Sequence, residues 1–98
     1  MEKLTAQERI FEIIEHLYKN HIKGLTNKEL AKLVGTSNAN ICRDLALFEK
    51  YGWIQRDENN KCRLSPVFGR ISADILKNYK KARLELAKAE AEFIGAVN

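Results

Sequence analysis

The sequence predicts a mainly α fold: a winged helix-turn-helix, meaning three helices plus a two-stranded β-wing, followed by a long C-terminal helix. Three observations predict it. Residues 25–50 read as helix, three-residue turn, helix. Residues 53–65 read as two short runs around an asparagine-rich tip. Residues 75–93 carry apolar side chains in alternating steps of four and three. The first two together are the layout of a module whose second helix enters the DNA major groove. The predicted organisation is therefore a domain over 1–65 and a helical extension over 66–98.

The first helix starts after Thr5, because Thr5-Ala6-Gln7-Glu8 fits the S/T-x-x-E capping box. Ile10, Ile13, Ile14, Leu17 and Tyr18 then follow the i, i+3, i+4, i+7, i+8 spacing of one buried stripe. Asn20 and His21 fray the helix and Gly24 ends the connection. The second helix has a fuller start. Thr26 is the N-cap, Glu29 its N3 partner, and Leu25 can staple to Leu30. Leu30, Leu33 and Val34 are expected to face the core, with Ala31 thin enough for close helix approach. Gly35 supplies the left-handed residue that closes this helix.

Ser37 caps the third helix, which runs to about Tyr51. At 100° per residue, Ile41, Leu45 and Phe48 fall within about 60° of each other and form its buried face. Ala39, Arg43, Ala46 and Lys50 lie opposite, with Asn40 and Cys42 on the flanks. An exposed face of small, amide and guanidinium side chains suits a groove. Arginine bridges guanine O6/N7 or a phosphate, asparagine pairs with adenine, and alanine permits close approach. An ordinary solvated helix face shows polar residues too, so the motif context carries this reading.

Trp53–Asp57 and Lys61–Ser65 flank Glu58-Asn59-Asn60 and predict the hairpin, with Asn60 taking a positive φ in place of glycine. Ile54 and Leu64 are expected to close the core. Arg56, Lys61 and Arg63 could reach phosphates, and Asn59 and Asn60 sit at the tip. Asp57 and Glu58 blunt the wing's charge.

Ser65-Pro66 is a good helix start, an N-cap followed by proline at N1. Gly69 is expected to break or bend the first turn, and the helical pattern runs to Gly95. Ile75, Tyr79, Ala82, Leu86, Ala89 and Phe93 have heptad a/d spacing, which predicts dimerisation through this helix. Folding back over its own domain is the alternative. The cations at 77, 80, 81, 83 and 88 are expected on its solvated side. A two-fold dimer would present two recognition helices to half-sites about one DNA turn apart, or a multiple of it.

At 98 residues the chain is one small core and little more. The net charge of +4 suits a polyanionic partner without demanding one. Cations and acids are interleaved throughout, so DNA binding would have to come from folded geometry rather than a basic tail. No apolar run reaches the length of a membrane span. The N-terminal stretch is amphipathic and glutamate-bearing, unlike a signal peptide. An intracellular protein is expected, in a bacterial or phage-infected cytoplasm and associated with the nucleoid. Cys42 and Cys62 are far apart and fit no metal-ligand spacing with His16 and His21, so free thiols and no metal are expected. No Gly-rich phosphate loop, nucleophile elbow or metal cluster is present in the sequence, so no enzymatic activity and no cofactor are expected.

Residues 24–64 resemble the N-terminal DNA-binding domain of IclR-type transcriptional regulators. The shared pattern appears as Gly24-Leu25-Thr26, Glu29-Leu30-Ala31 to Gly35, Ile41, Arg43, Leu45, Phe48-Glu49, Gly52-Trp53-Ile54 and Arg63-Leu64. It covers a little under half of the chain. The resemblance implies a sequence-specific transcriptional regulator with DNA contacts from Asn38, Ala39, Asn40, Cys42 and Arg43. Thr36 and Ser37 in the turn, and Arg56, Asn59, Asn60, Lys61 and Arg63 in the wing, complete the expected double-stranded DNA surface. Asp44 stands where the family usually carries leucine and would bring a negative charge close to the duplex unless it pairs with a neighbouring Lys or Arg. Residues 65–98 are too few for the effector-binding domain of full-length members, so no small-molecule effector is expected. A protein-interaction adaptor on the same fold, without DNA binding, is the alternative function.

Overall fold

The computed structural model describes residues 3–97, the side chain of Val97 excepted. It is mainly helical, in the order α1 (Ala6–Lys19), α2 (Asn27–Val34), α3 (Asn38–Lys50), β1 (Ile54–Arg56), β2 (Cys62–Leu64) and α4 (Val67–Val97). The chain divides into two compact units between Val67 and Phe68. Among the described residues, no helix is long and apolar enough to cross a membrane.

The local signals of the first unit act where the sequence puts them. Thr5 Oγ1 accepts from the Glu8 amide at 3.1 Å while Glu8 Oε1 accepts from the Thr5 amide at 2.9 Å. Thr26 and Glu29 repeat this reciprocal cap at 3.1 Å each way. Both glutamates have pKa values held below the ordinary carboxylate value, chiefly by the backbone hydrogen bond from the capping threonine. Gly35 ends α2 with φ +78°. The Ser37 hydroxyl then accepts from the Asn40 amide at 3.1 Å and starts α3.

The core is one cluster: Ile13 and Leu17 from α1, Leu30 and Ala31 from α2, Ile41, Leu45 and Phe48 from α3, and Leu25, Ile54, Cys62 and Leu64. Of the expected core stripes, Ile10, Ile14 and Val34 are only half-buried, and two residues are exposed. Tyr18 is 55% exposed and Leu33 is 49% exposed. Each is at the edge of its apolar arc, and each helix buries a narrower stripe than its periodicity allows.

β1 and β2 pair antiparallel with Ile54 opposite Leu64, Gln55 opposite Arg63 and Arg56 opposite Cys62. The strands are shorter than the sequence runs. Leu25 adds an antiparallel bridge to Cys62, with N–H···O distances of 3.0 and 2.7 Å. Nothing local in the sequence announces this pairing. It draws Gly24 against the hairpin: at φ +76°, a Cβ on Gly24 would lie 3.1 Å from Lys61 Cβ and 3.3 Å from Arg63 Cγ.

Ser65 is buried beneath Gly52, donating its hydroxyl to the Gly52 carbonyl at 2.7 Å and accepting from the Val67 amide at 3.3 Å. α4 begins at Val67, directly after Pro66. It passes through Gly69 without the expected break and continues beyond Gly95 to Val97. Every residue from Gly69 to Ala96 is exposed.

Candidate nucleic-acid interface

α3 separates its faces sharply. Ile41 and Leu45 are fully buried, while Asn38, Ala39, Cys42, Arg43, Ala46 and Lys50 are exposed. Asn40 is half-buried on the flank. Three of the expected contact residues are joined by hydrogen bonds. Asn40 Nδ2 donates to Thr36 Oγ1 at 2.9 Å, and Arg43 Nη2 donates to Asn40 Oδ1. Asn40 is thus a brace that fixes the Arg43 guanidinium relative to the turn. Pairing of Asn40 with a base would require releasing these bonds.

Asp44 is not on this face, contrary to the sequence reading. It is buried and held by Arg9 of α1, which donates Nε to Oδ2 at 2.7 Å and Nη2 to Oδ1 at 3.1 Å. The side chains are only 12% and 9% exposed. The hydrogen bond to Asp44 raises the Arg9 pKa above its ordinary value. A two-pronged ion pair of this kind fixes both distance and angle. It neutralises the one acid on α3 that the sequence placed beside a duplex and ties α3 to α1.

The wing differs from expectation in its cations. Arg56 Nε donates to Glu49 at 3.1 Å, and its Nη1 donates to Asn27 Oδ1 at 3.0 Å. Asn27 Nδ2 in turn donates to Cys42 Sγ at 3.3 Å. Arg63 Nη2 donates to Asp57 at 3.1 Å and to the Lys23 carbonyl at 3.4 Å. Arg56 and Arg63 therefore brace the hairpin against α2, α3 and the preceding loop, and would have to release these bonds to reach a phosphate. Lys61 is half-buried beside Gly24. Asn59 and Asn60 are exposed at the tip, and Asn60 has the expected positive φ of 60°.

Asp57 organises that tip. Its Oδ1 accepts from the amides of Asn59 and Lys61, both at 2.9 Å. These bonds, the one from Lys61 foremost, lower its pKa from the ordinary 3.8. The sequence reading saw Asp57 only as a charge. It also missed Arg9, Asn27 and the packing of Gly24 against the hairpin, whose partners are distant in sequence.

Both cysteines are free, Cys42 exposed and Cys62 buried. Burial pushes the Cys62 thiol up to about 11. Among the described residues, no three His, Cys, Asp or Glu side chains gather as a cation site needs.

No protein-family model, curated protein or solved structure matches this chain. The IclR-type resemblance accordingly rests on the motif residues, and the functional reading on the geometry of α3 and its supports.

Proposed function

We propose that the chain is a sequence-specific DNA-binding transcriptional regulator that occupies an operator as a dimer, with α3 in the major groove. The observation that carries this reading is α3 itself. One face is locked into the core and, through Asp44, to α1. The other presents Asn38, Ala39, Cys42 and Arg43 from the helix's first two turns, with the guanidinium braced by Asn40. The Leu25–Cys62 bridge supports the winged helix-turn-helix assignment, because it anchors the hairpin beside the first unit's helices. The exposed a/d stripe of α4 supports dimerisation.

The test is selection of bound duplexes from a random pool at about 150 mM salt, where non-specific phosphate binding is weakened. The expected result is a palindromic consensus whose half-sites are separated by about one helical turn or a multiple of it. Arg43→Ala is expected to cost about 1–3 kcal/mol of affinity for that consensus without loss of folding. The engagement of Arg56 and Arg63 by Glu49 and Asp57 favours one competing reading, an adaptor that binds protein rather than DNA. On that reading no duplex is enriched and Arg43→Ala is silent toward DNA.

A further inference from the structure

We propose that two copies of the chain pair through α4 as an antiparallel coiled coil centred between Lys80 and Lys81. This deepens the dimer part of the proposed function and rests on it. Ile75, Tyr79, Ala82, Leu86, Ala89 and Phe93 fall within about 80° of the helix circumference. All are exposed, Leu86 to 70% and Phe93 to 77%. Their spacing makes Ser72, Tyr79, Leu86 and Phe93 the a positions, and Ile75, Ala82 and Ala89 the d positions. The e positions are then Leu76, Arg83 and Glu90, and the g positions Ile71, Asn78, Glu85 and Glu92.

Charge and size at these positions select the orientation. Parallel pairing sets each Glu85 against Glu90 of the other copy, two like-charge contacts with no opposite-charge pair to offset them. It also stacks Tyr79 on Tyr79, and Ala82 and Ala89 on themselves, so wide and empty layers alternate. Antiparallel pairing places a against d, and e against e, g against g. Centred between Lys80 and Lys81, it puts Tyr79 on Ala82, Leu86 on Ile75 and Ala89 on Ser72, with Phe93 opposite the partner's first turn. Large side chains meet small ones in the central layers. The flanks become Leu76 with Arg83, Asn78 with Glu85 and Ile71 with Glu92, with no like charges facing. Sliding the partner one heptad, which moves the centre half a heptad toward the C-terminus, sets Glu85 on Glu85 and Arg83 on Arg83. Sliding it one heptad the other way leaves Ala89 and Phe93 without partners. In the chosen register the two α4 N-terminal ends are about 40 Å apart along the axis.

The test uses the full chain with Cys42→Ser, Cys62 being buried, and adds Ser72→Cys or Ala89→Cys singly. Sedimentation equilibrium gives the association state, and mild oxidation followed by non-reducing electrophoresis gives the neighbours. Neither single variant is expected to cross-link with itself, whereas an equimolar mixture yields a disulfide-linked dimer. Cross-linking of either variant alone establishes parallel pairing and overturns the proposal. A dimer that cross-links in no combination overturns the register. A monomer overturns the pairing altogether and points to fold-back. DNA selection on the chain with Cys42 intact reports independently: the expected cross-links with no enriched duplex leave the coiled coil standing and remove the DNA reading.

Discussion

Asp44 shows how a single side chain can reverse a functional inference. Read as an acid on the recognition helix, it weakens the case for DNA; buried against Arg9, it strengthens it. The pair is expected to behave as buried ion pairs do, costly to break and cheap to replace whole. Asp44→Ala should lower stability by about 2–4 kcal/mol, because the Arg9 side chain, only 12% exposed, is left without its partner. The double variant Arg9→Leu/Asp44→Leu should recover most of that loss. Denaturant unfolding of the two variants checks this, and equal losses in both would show that the cost does not come from a stranded Arg9 and that the pair itself is net stabilising. The position of Asp44 was partly legible. The helical wheel that gathers Ile41, Leu45 and Phe48 puts residue 44 about 40° from Phe48, on the buried side. Its partner was not legible, since Arg9 is 35 residues away and nothing local singles it out from other surface cations.

At the scale of elements, the parts governed by neighbours in sequence were readable and the parts governed by contact were not. Both capping boxes, the Gly35 terminus and the Asn60 turn involve groups within four residues of each other, and all stand where the motifs put them. The hairpin is different. Its attachment depends on Leu25 reaching Cys62 and on Gly24 having no side chain to meet Lys61 and Arg63. Gly24→Ala should therefore cost about 1–3 kcal/mol, combining a left-handed backbone with a crowded Cβ. Thermal melting would read the loss, and an unchanged melting temperature would place the hairpin's anchorage elsewhere. The tip responds to pH through Asp57. Its pKa is lower folded than unfolded, so its contribution is present above the ordinary value of 3.8 and fades as pH falls through the depressed value. The Asn59 and Lys61 amide resonances should titrate together below pH 3.8, and Asp57→Asn should abolish that shared step.

At the scale of the molecule, α4 is the part least explained by a monomer. The heptad spacing and the Ser65-Pro66 start made it legible nearly to its ends. Gly69 was expected to break or bend its first turn and Gly95 to close it, yet a glycine inside a helix costs only about 1 kcal/mol against alanine, less than a run of good helix formers supplies. Such a helix, exposed along Gly69–Ala96, lacks the tertiary burial that normally stabilises helices in water. If its stability comes from a second copy, helicity must follow mass action. Dilution through the dimer's dissociation constant should then lower the far-ultraviolet circular dichroism signal of the full chain. The emission of Trp53, in the first unit, should stay unchanged. Ile75→Asp or Leu86→Asp should bring the same loss at high concentration, because a charge at a core position of the pair is left without a partner. Helicity independent of concentration, and indifferent to both aspartates, would mean that α4 stands without the second copy, and the dimer would have to be sought on another surface.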